Sequence, residues 1–273
     1  MALPNSTNFS YDFEPGGGSI LFPQPNAPLI MKVAVVLPVY NELECIEHTF
    51  DKIVEFSLRN QDRDYHFIFV NDGSTDGTQE LLEKKLRACQ NPQIKLLSYP
   101  TRRGKGYAVK KGGESIEADY FCFLDSDLAY SLEHLDLLLE KLEKFDLVIG
   151  CRNLDKNNFK NLTFIRKVLG KIFNIMSRKI LNLKYTDMQA GIKGFRKEAA
   201  KELFRKQRLS RFSFDVELIF IAKKRGYRIG EIPARVSENH IYKTSKVNLL
   251  KDSLEMFTCL LKIRYNELMG RYD

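Results

Sequence analysis

A doubly wound α/β domain, with a mostly parallel sheet flanked by helices, is what the sequence predicts, on three observations. Short β-branched or aromatic runs alternate with segments of helical period. Acidic and turn-forming residues collect where those runs stop. The composition, 44% hydrophobic and 29% charged over 273 residues, is that of a folded chain with room for a sizeable core.

The elements follow in order. Residues 1–28, rich in Pro, Gly, Asn and Ser, read as a flexible leader. Residues 33–39 form a β-branched run suited to a buried strand, and 42–56 have helical spacing through Ile46, Phe50 and Ile53. The pair recurs as a strand at 67–70, a turn from Asp72 to Gly77 and a helix at 78–89. A third strand starts at Ile94, a third helix covers 106–116, and 120–124 is a fourth strand. Residues 132–144 and 214–224 read as helices, 147–150 as a strand, 162–181 as a basic amphipathic helix and 228–236 as an edge strand. These make one domain over 29–240. The remainder, 241–273, reads as an amphipathic helix whose stripe of Leu250, Leu254, Phe257, Leu261 and Tyr265 suits core packing or self-association.

Charge divides the chain more sharply than its net +8 suggests: residues 1–150 carry 15 Lys and Arg against 23 Asp and Glu, and residues 151–273 carry 28 against 12. A basic C-terminal half implies an anionic partner. No run reaches the roughly 18 apolar residues of a spanning helix, since the best one, 29–40, is short and holds Lys32. The N-terminus lacks a secretory pattern, so a cytoplasmic protein is expected. Five scattered cysteines without metal spacing are expected to be reduced thiols.

Candidate chemistry sits at the carboxyl ends of the predicted strands, where such sheets bind ligands. Asp125-Ser126-Asp127 follows the apolar run 121–124 and offers two carboxylates of the kind that hold Mg²⁺ or Mn²⁺, with phosphate oxygens and water completing the shell. Taken alone, the triplet also fits a turn with solvated acids. Asp72 follows the second strand and could accept from the N–H edge of a nucleobase, or simply cap a turn. Arg102-Arg103-Gly104-Lys105-Gly106 precedes a helix, where a diphosphate could approach the helix N-terminus, though a basic surface loop would look the same. No Walker loop and no G-x-G-x-x-G after the first strand are present, against a kinase or a dinucleotide dehydrogenase.

The order of these pieces is more specific than any one of them. The segments 35–42 (VVLPVYNE), 70–78 (VNDGSTDGT), 103–106 (RGKG) and 125–127 (DSD) together resemble the family 2 glycosyltransferases over roughly residues 32–240. The later segments 186–195 (TDMQAGIKGF), 214–218 (FDVEL) and 230–233 (GEIP) are similar to the polyprenyl-phosphate sugar synthases, above all their dolichyl-phosphate β-glucosyltransferase branch. That resemblance implies a GT-A fold, a single Rossmann-like nucleotide-binding domain. It also implies inverting transfer of a sugar from a nucleotide sugar, UDP favoured, to polyprenyl phosphate, with Mg²⁺ or Mn²⁺ as cofactor.

Carried over by position, the resemblance assigns Pro38, Tyr40, Glu42 and Asp72 to the nucleoside and Lys105 to its neighbourhood. It gives Asp125 and Asp127 to ribose, diphosphate and metal. Arg152, in Gly150-Cys151-Arg152, and Arg166 would hold the acceptor phosphate, Asp187 and Gln189 match the acceptor-side loop, and Glu217 matches an acid of the family whose role, catalytic or structural, stays open. Two departures stand out. Mannose-transferring relatives carry a metal-binding Gln where this chain has Ala129, which favours the glucosyl branch. Their Arg after the E-x-P segment is replaced near Asn239 and His240, leaving Lys243 or Lys246 for the diphosphate.

A phosphate acceptor is already an anion and needs orienting cations rather than a base. A hydroxyl acceptor on a glycan would require a carboxylate base, with Asp187, Asp215 or Glu217 as candidates. A noncatalytic nucleotide-sugar-binding module is the reading from another class, against which the intact Asp72, Asp125 and Asp127 argue. The basic helix at 162–181 suits either a solvated face or peripheral contact with an anionic membrane, and no nucleic-acid-binding module is present.

Overall fold

The computed structural model describes residues 30–155, 164–211, 213–237 and 249–273, the side chains of 164–171 and 249–254 excepted. The leader at 1–28, the Arg166 side chain, Lys243 and Lys246 lie outside the described residues.

The strands β1 (Lys32–Val39), β2 (Asp64–Asp72), β3 (Ile94–Tyr99), β4 (Tyr120–Leu124), β5 (Leu147–Cys151), β6 (Ile192–Arg196) and β7 (Ile229–Pro233) form one sheet in the order β3-β2-β1-β4-β6-β5-β7. β1, β2, β3 and β4 run parallel, β7 lies parallel to β5 at the edge, and β6 is antiparallel to both of its neighbours. The strands are apolar at successive positions because both faces are covered. Val33, Val35, Leu37, Phe67, Phe69 and Leu124 pack under α1 (Leu43–Arg59), α2 (Thr78–Cys89) and α4 (His134–Leu142). Their neighbours Val36, Ile68, Val70 and Phe123 join the opposite core with α3 (Lys105–Glu114), α5 (Phe164–Leu181), α6 (Lys197–Lys206), α7 (Phe214–Lys224) and α8 (Leu249–Leu268).

The chain winds from β1 outward to β3, then returns to place β4 on the other side of β1. The ends of β1 and β4 therefore flank the switch point, the crevice at which open α/β sheets bind their ligands. Past Val36, β1 has only β2 beside it, which is why Pro38, without an N–H, is tolerated in a central strand.

Two features depart from the expected pattern. The residues 192–206 supply β6 and α6, which the sequence reading left unassigned, because Ile-Lys-Gly-Phe-Arg shows neither alternation nor a long apolar run. In α8 the buried face is Cys259, Leu260, Ile263 and Asn266, whereas Leu261 and Tyr265 of the predicted stripe are exposed. Leu260, Ile263 and Tyr272 share one core with Phe220 and Leu181, so the helical tail is built into the domain.

Candidate active site

The loops after β1 and β2 are tied to each other before they can bind anything. Asn41 adopts φ +52°, its N–H donates to Ser74 Oγ (3.0 Å), and its Oδ1 accepts from Thr75 N–H (2.8 Å). The N–H of Glu42 donates to Thr78 Oγ1 (3.0 Å), and that of Leu43 to Asp76 Oδ2 (3.2 Å). Asn and Asp serve here because their short side chains replace missing backbone partners. Of the residues expected at the nucleoside, Tyr40 has the Arg102 guanidinium stacked 3.9 Å from its ring centre, and the Glu42 carboxylate accepts from the Cys45 thiol.

Asp72 is almost fully buried at the end of β2. Its Oδ1 accepts from Arg103 N–H (2.7 Å) and its Oδ2 from Gly104 N–H (2.8 Å). The sequence reading offers this carboxylate to a nucleobase or to a turn; the structure shows it holding the Arg102–Gly106 loop onto β2. Gly104 has φ +105°, and a Cβ there would meet Ser210 O at 2.5 Å, so glycine is required where the loop turns into α3. The turn sets Lys105 at the first position of α3, facing the end of β4.

There, Asp125 N–H donates to Gly191 O (3.0 Å), joining the end of β4 to the start of β6. Lys105 Nζ lies 2.5 Å from Asp125 Oδ1, and Asp127 Oδ1 accepts from Ala129 N–H (3.0 Å). A Cβ on Gly191 would stand 1.8 Å from Asp125 Oδ2, so the absent side chain is the space the carboxylate occupies. Among the described residues no group of three His, Cys, Asp or Glu side chains forms an all-protein metal site. Two carboxylates two residues apart fit a hard divalent cation that draws its other ligands from substrate phosphate and water.

A second layer of charge lies beneath. Lys193, on β6, is fully buried, with its Nζ 2.8 Å from Asp215 Oδ1 and donating to Ala190 O at 2.8 Å. Burial pushes the Lys193 ammonium down and the Asp215 carboxyl up, each opposed by its partner. The Lys105 and Lys193 ammonium groups stand 5.8 and 5.4 Å from the centre of the Phe123 ring. Sequence reasoning missed Lys193; a lysine beside Phe and Ile between two glycines was the available signal.

On the far side of the crevice, Arg152 grips Asp187 through Nε to Oδ2 (2.7 Å) and Nη2 to Oδ1 (2.9 Å), and its own N–H adds a bond to Oδ2 (2.8 Å). Burial would raise the Asp187 carboxyl, but the Arg152 hydrogen bonds and charge outweigh it and hold it below the usual range. Gln189 donates its N–H to Asp187 Oδ1 (3.3 Å). For Glu217 the structure shows a set of structural bonds. It is fully buried and accepts from Arg208 N–H (3.1 Å), Leu209 N–H (2.8 Å) and the Tyr272 hydroxyl (2.6 Å), holding the loop before α7 and the residues after α8.

The profile of Glycosyl transferase family 2 matches residues 34–204. A dolichyl-phosphate beta-glucosyltransferase of Dictyostelium discoideum is 28% identical over 249 residues, covering 87% of this chain and 75% of that protein. One from Trichomonas vaginalis is 30% identical over 256 residues, covering 90% and 75%. The crystal structure of glucosyl-3-phosphoglycerate synthase from Mycobacterium tuberculosis with UDP superposes with a TM-score of 0.60 at 19% identity, over 85% of this chain and 80% of that one. That likeness is one of fold, the GT-A architecture.

Proposed function

The chain belongs to glycosyl transferase family 2, and from that premise we propose that it moves a hexose from a nucleotide sugar, UDP-linked by preference, to a polyprenyl phosphate, inverting the anomeric carbon. The observation that carries the choice of acceptor is the fate of the three acids available as a base. Asp187 is clamped by Arg152, Asp215 lies on Lys193, and Glu217 is buried under Tyr272 and two N–H donors. A hydroxyl acceptor would need one of them free to take a proton, whereas a phosphate arrives as an anion and needs only cations to orient it. The relatives named dolichyl-phosphate beta-glucosyltransferase support the same acceptor.

In this reading Asp125 and Asp127 hold Mg²⁺ or Mn²⁺, which would neutralise charge on the departing diphosphate. Asp72 and Gly104 shape the loop that presents Lys105 to that diphosphate, and Tyr40 with Arg102 borders the nucleoside. Arg152, with about a third of its side chain exposed, turns an edge of its guanidinium to the acceptor phosphate while Asp187 fixes its plane. The same reading places the protein against a cytoplasmic membrane face. Among the described residues no helix is long and apolar enough to cross a membrane. Contact would instead run through exposed Ile172 and Ile175 of α5, and Leu261, Tyr265 and Leu268 of α8, beside basic side chains such as Arg178 and Lys179. Mass spectrometry of the lipid product tests the proposal: a hexosyl-phosphoryl-polyprenol is expected, and a sugar found only on a glycan or on water would refute it.

A further inference from the structure

We propose that Lys105 is a resident counter-cation that a divalent ion displaces from Asp125 and that then transfers to the donor's diphosphate, so that metal and nucleotide assist each other's binding. The proposal rests on reading Asp125 and Asp127 as the metal carboxylates. Its starting point is the ion pair itself: the Lys105 ammonium stands 2.5 Å from Asp125 Oδ1, occupying one of the few carboxylate oxygens the site can offer a cation. A dication sharing that carboxylate with the ammonium would be repelled by it.

The ammonium cannot retreat inward. Lys193 already occupies the interior beside the same Phe123 ring, bound to Asp215 and to Ala190 O, and its charge faces that of Lys105. The backbone cannot carry Lys105 away either. Gly104 N–H is bound to Asp72, Gly104 has Ser210 O against its α-carbon, and Gly106 O accepts from Gln207 Nε2 (2.9 Å). What remains is rotation of the four-carbon stem, whose side chain is about one-fifth exposed, out toward the crevice. From the first position of α3, that movement carries the ammonium into the crevice, where it can meet a diphosphate as a point charge. Metal alone therefore has to strip Asp125 of its partner and leave the ammonium only the attraction of Asp215, which Lys193 already holds, and of Asp127, itself a metal carboxylate in this reading. Metal with a nucleoside diphosphate gives Lys105 a new anion.

The test is Mn²⁺ binding followed by the electron paramagnetic resonance of the free ion, with and without UDP, on wild type, Lys105→Met, Lys105→Arg and Asp125→Asn. Without UDP, Lys105→Met is expected to bind Mn²⁺ about tenfold more tightly than wild type, the sign and scale that follow from removing a like charge next to a partly buried site. Lys105→Arg keeps the charge and should stay near wild type. The factor by which UDP tightens Mn²⁺ should shrink in Lys105→Met. Should the methionine variant fold poorly, Lys105→Gln carries the same expectation. Lys105→Met binding Mn²⁺ no more tightly than wild type overturns the displacement. Asp125→Asn keeping full Mn²⁺ affinity has a different signature, and it would remove the metal-site reading beneath the proposal.

Discussion

Gly191→Ala tests how the carboxylate of Asp125 is held. The added Cβ would lie 1.8 Å from Oδ2 and 2.3 Å from Cγ of Asp125, so the carboxylate must move by about 1.6 Å to regain the 3.4 Å of ordinary contact. The backbones resist parting, because Asp125 N–H donates to Gly191 O and β4 pairs with β6 from Leu124 and Ile192 onward. The displacement therefore falls on the Asp125 side chain and breaks its 2.5 Å pair with Lys105. Overpacking of this kind costs about 1–3 kcal/mol, which in a chain of this size lowers Tm by roughly 2–4 °C per kcal/mol. An ångström-scale misplacement of a group that positions the reaction lowers kcat/KM by about a hundredfold. Nucleoside diphosphate release measured against Mn²⁺ concentration, beside a thermal melt, reads both effects. Wild-type kcat/KM and metal dependence in the alanine variant would refute the reasoning.

Other substitutions separate positioning from chemistry. Asp72→Asn leaves Arg103 or Gly104 N–H without its carboxylate, a cost of about 1–3 kcal/mol, and should raise the donor KM more than it lowers kcat in steady-state assays. Glu217→Gln should lower Tm with kcat unchanged, and a fall in kcat at wild-type Tm would restore the acid to the reaction. His134 gives a pH signature. Its Nε2 accepts from Arg235 N–H and its Nδ1 bonds to Ser131 O, and burial holds the ring below its ordinary value. The unfolded chain takes up the proton first, so the stability from the neutral ring is whole above about pH 6.5 and is lost as pH falls through the lowered folded value. Melting curves between pH 7 and pH 5 should show a steeper loss in wild type than in His134→Gln.

Much of the site was legible because buried strands announce themselves and their ends carry polar residues with no core to join. Asp72, Asp125 and Asp127 stand where β2 and β4 stop, and Arg152 follows β5. What escaped depends on partners far away in the chain. Lys193 is a buried lysine only because Asp215, on α7, comes to meet it, and nothing local in Ile-Lys-Gly-Phe-Arg marks that strand as antiparallel. The bond from Glu217 to Tyr272, which reaches it from beyond α8, is equally invisible in the local sequence. Within α8, apolar residues occur around much of the helix, and packing against α5 buries Leu260 and Ile263 while Leu261 and Tyr265 of the stripe stay exposed.

The nature of the acceptor is tested most directly by nucleoside diphosphate release from a panel of UDP- and GDP-sugars, with Mg²⁺ or Mn²⁺, in the presence of a short polyprenyl phosphate or of the corresponding polyprenol. Release from one donor that rises with the phosphate and not with the alcohol is the predicted result. Release driven equally by the alcohol, or unchanged by either lipid, would contradict it.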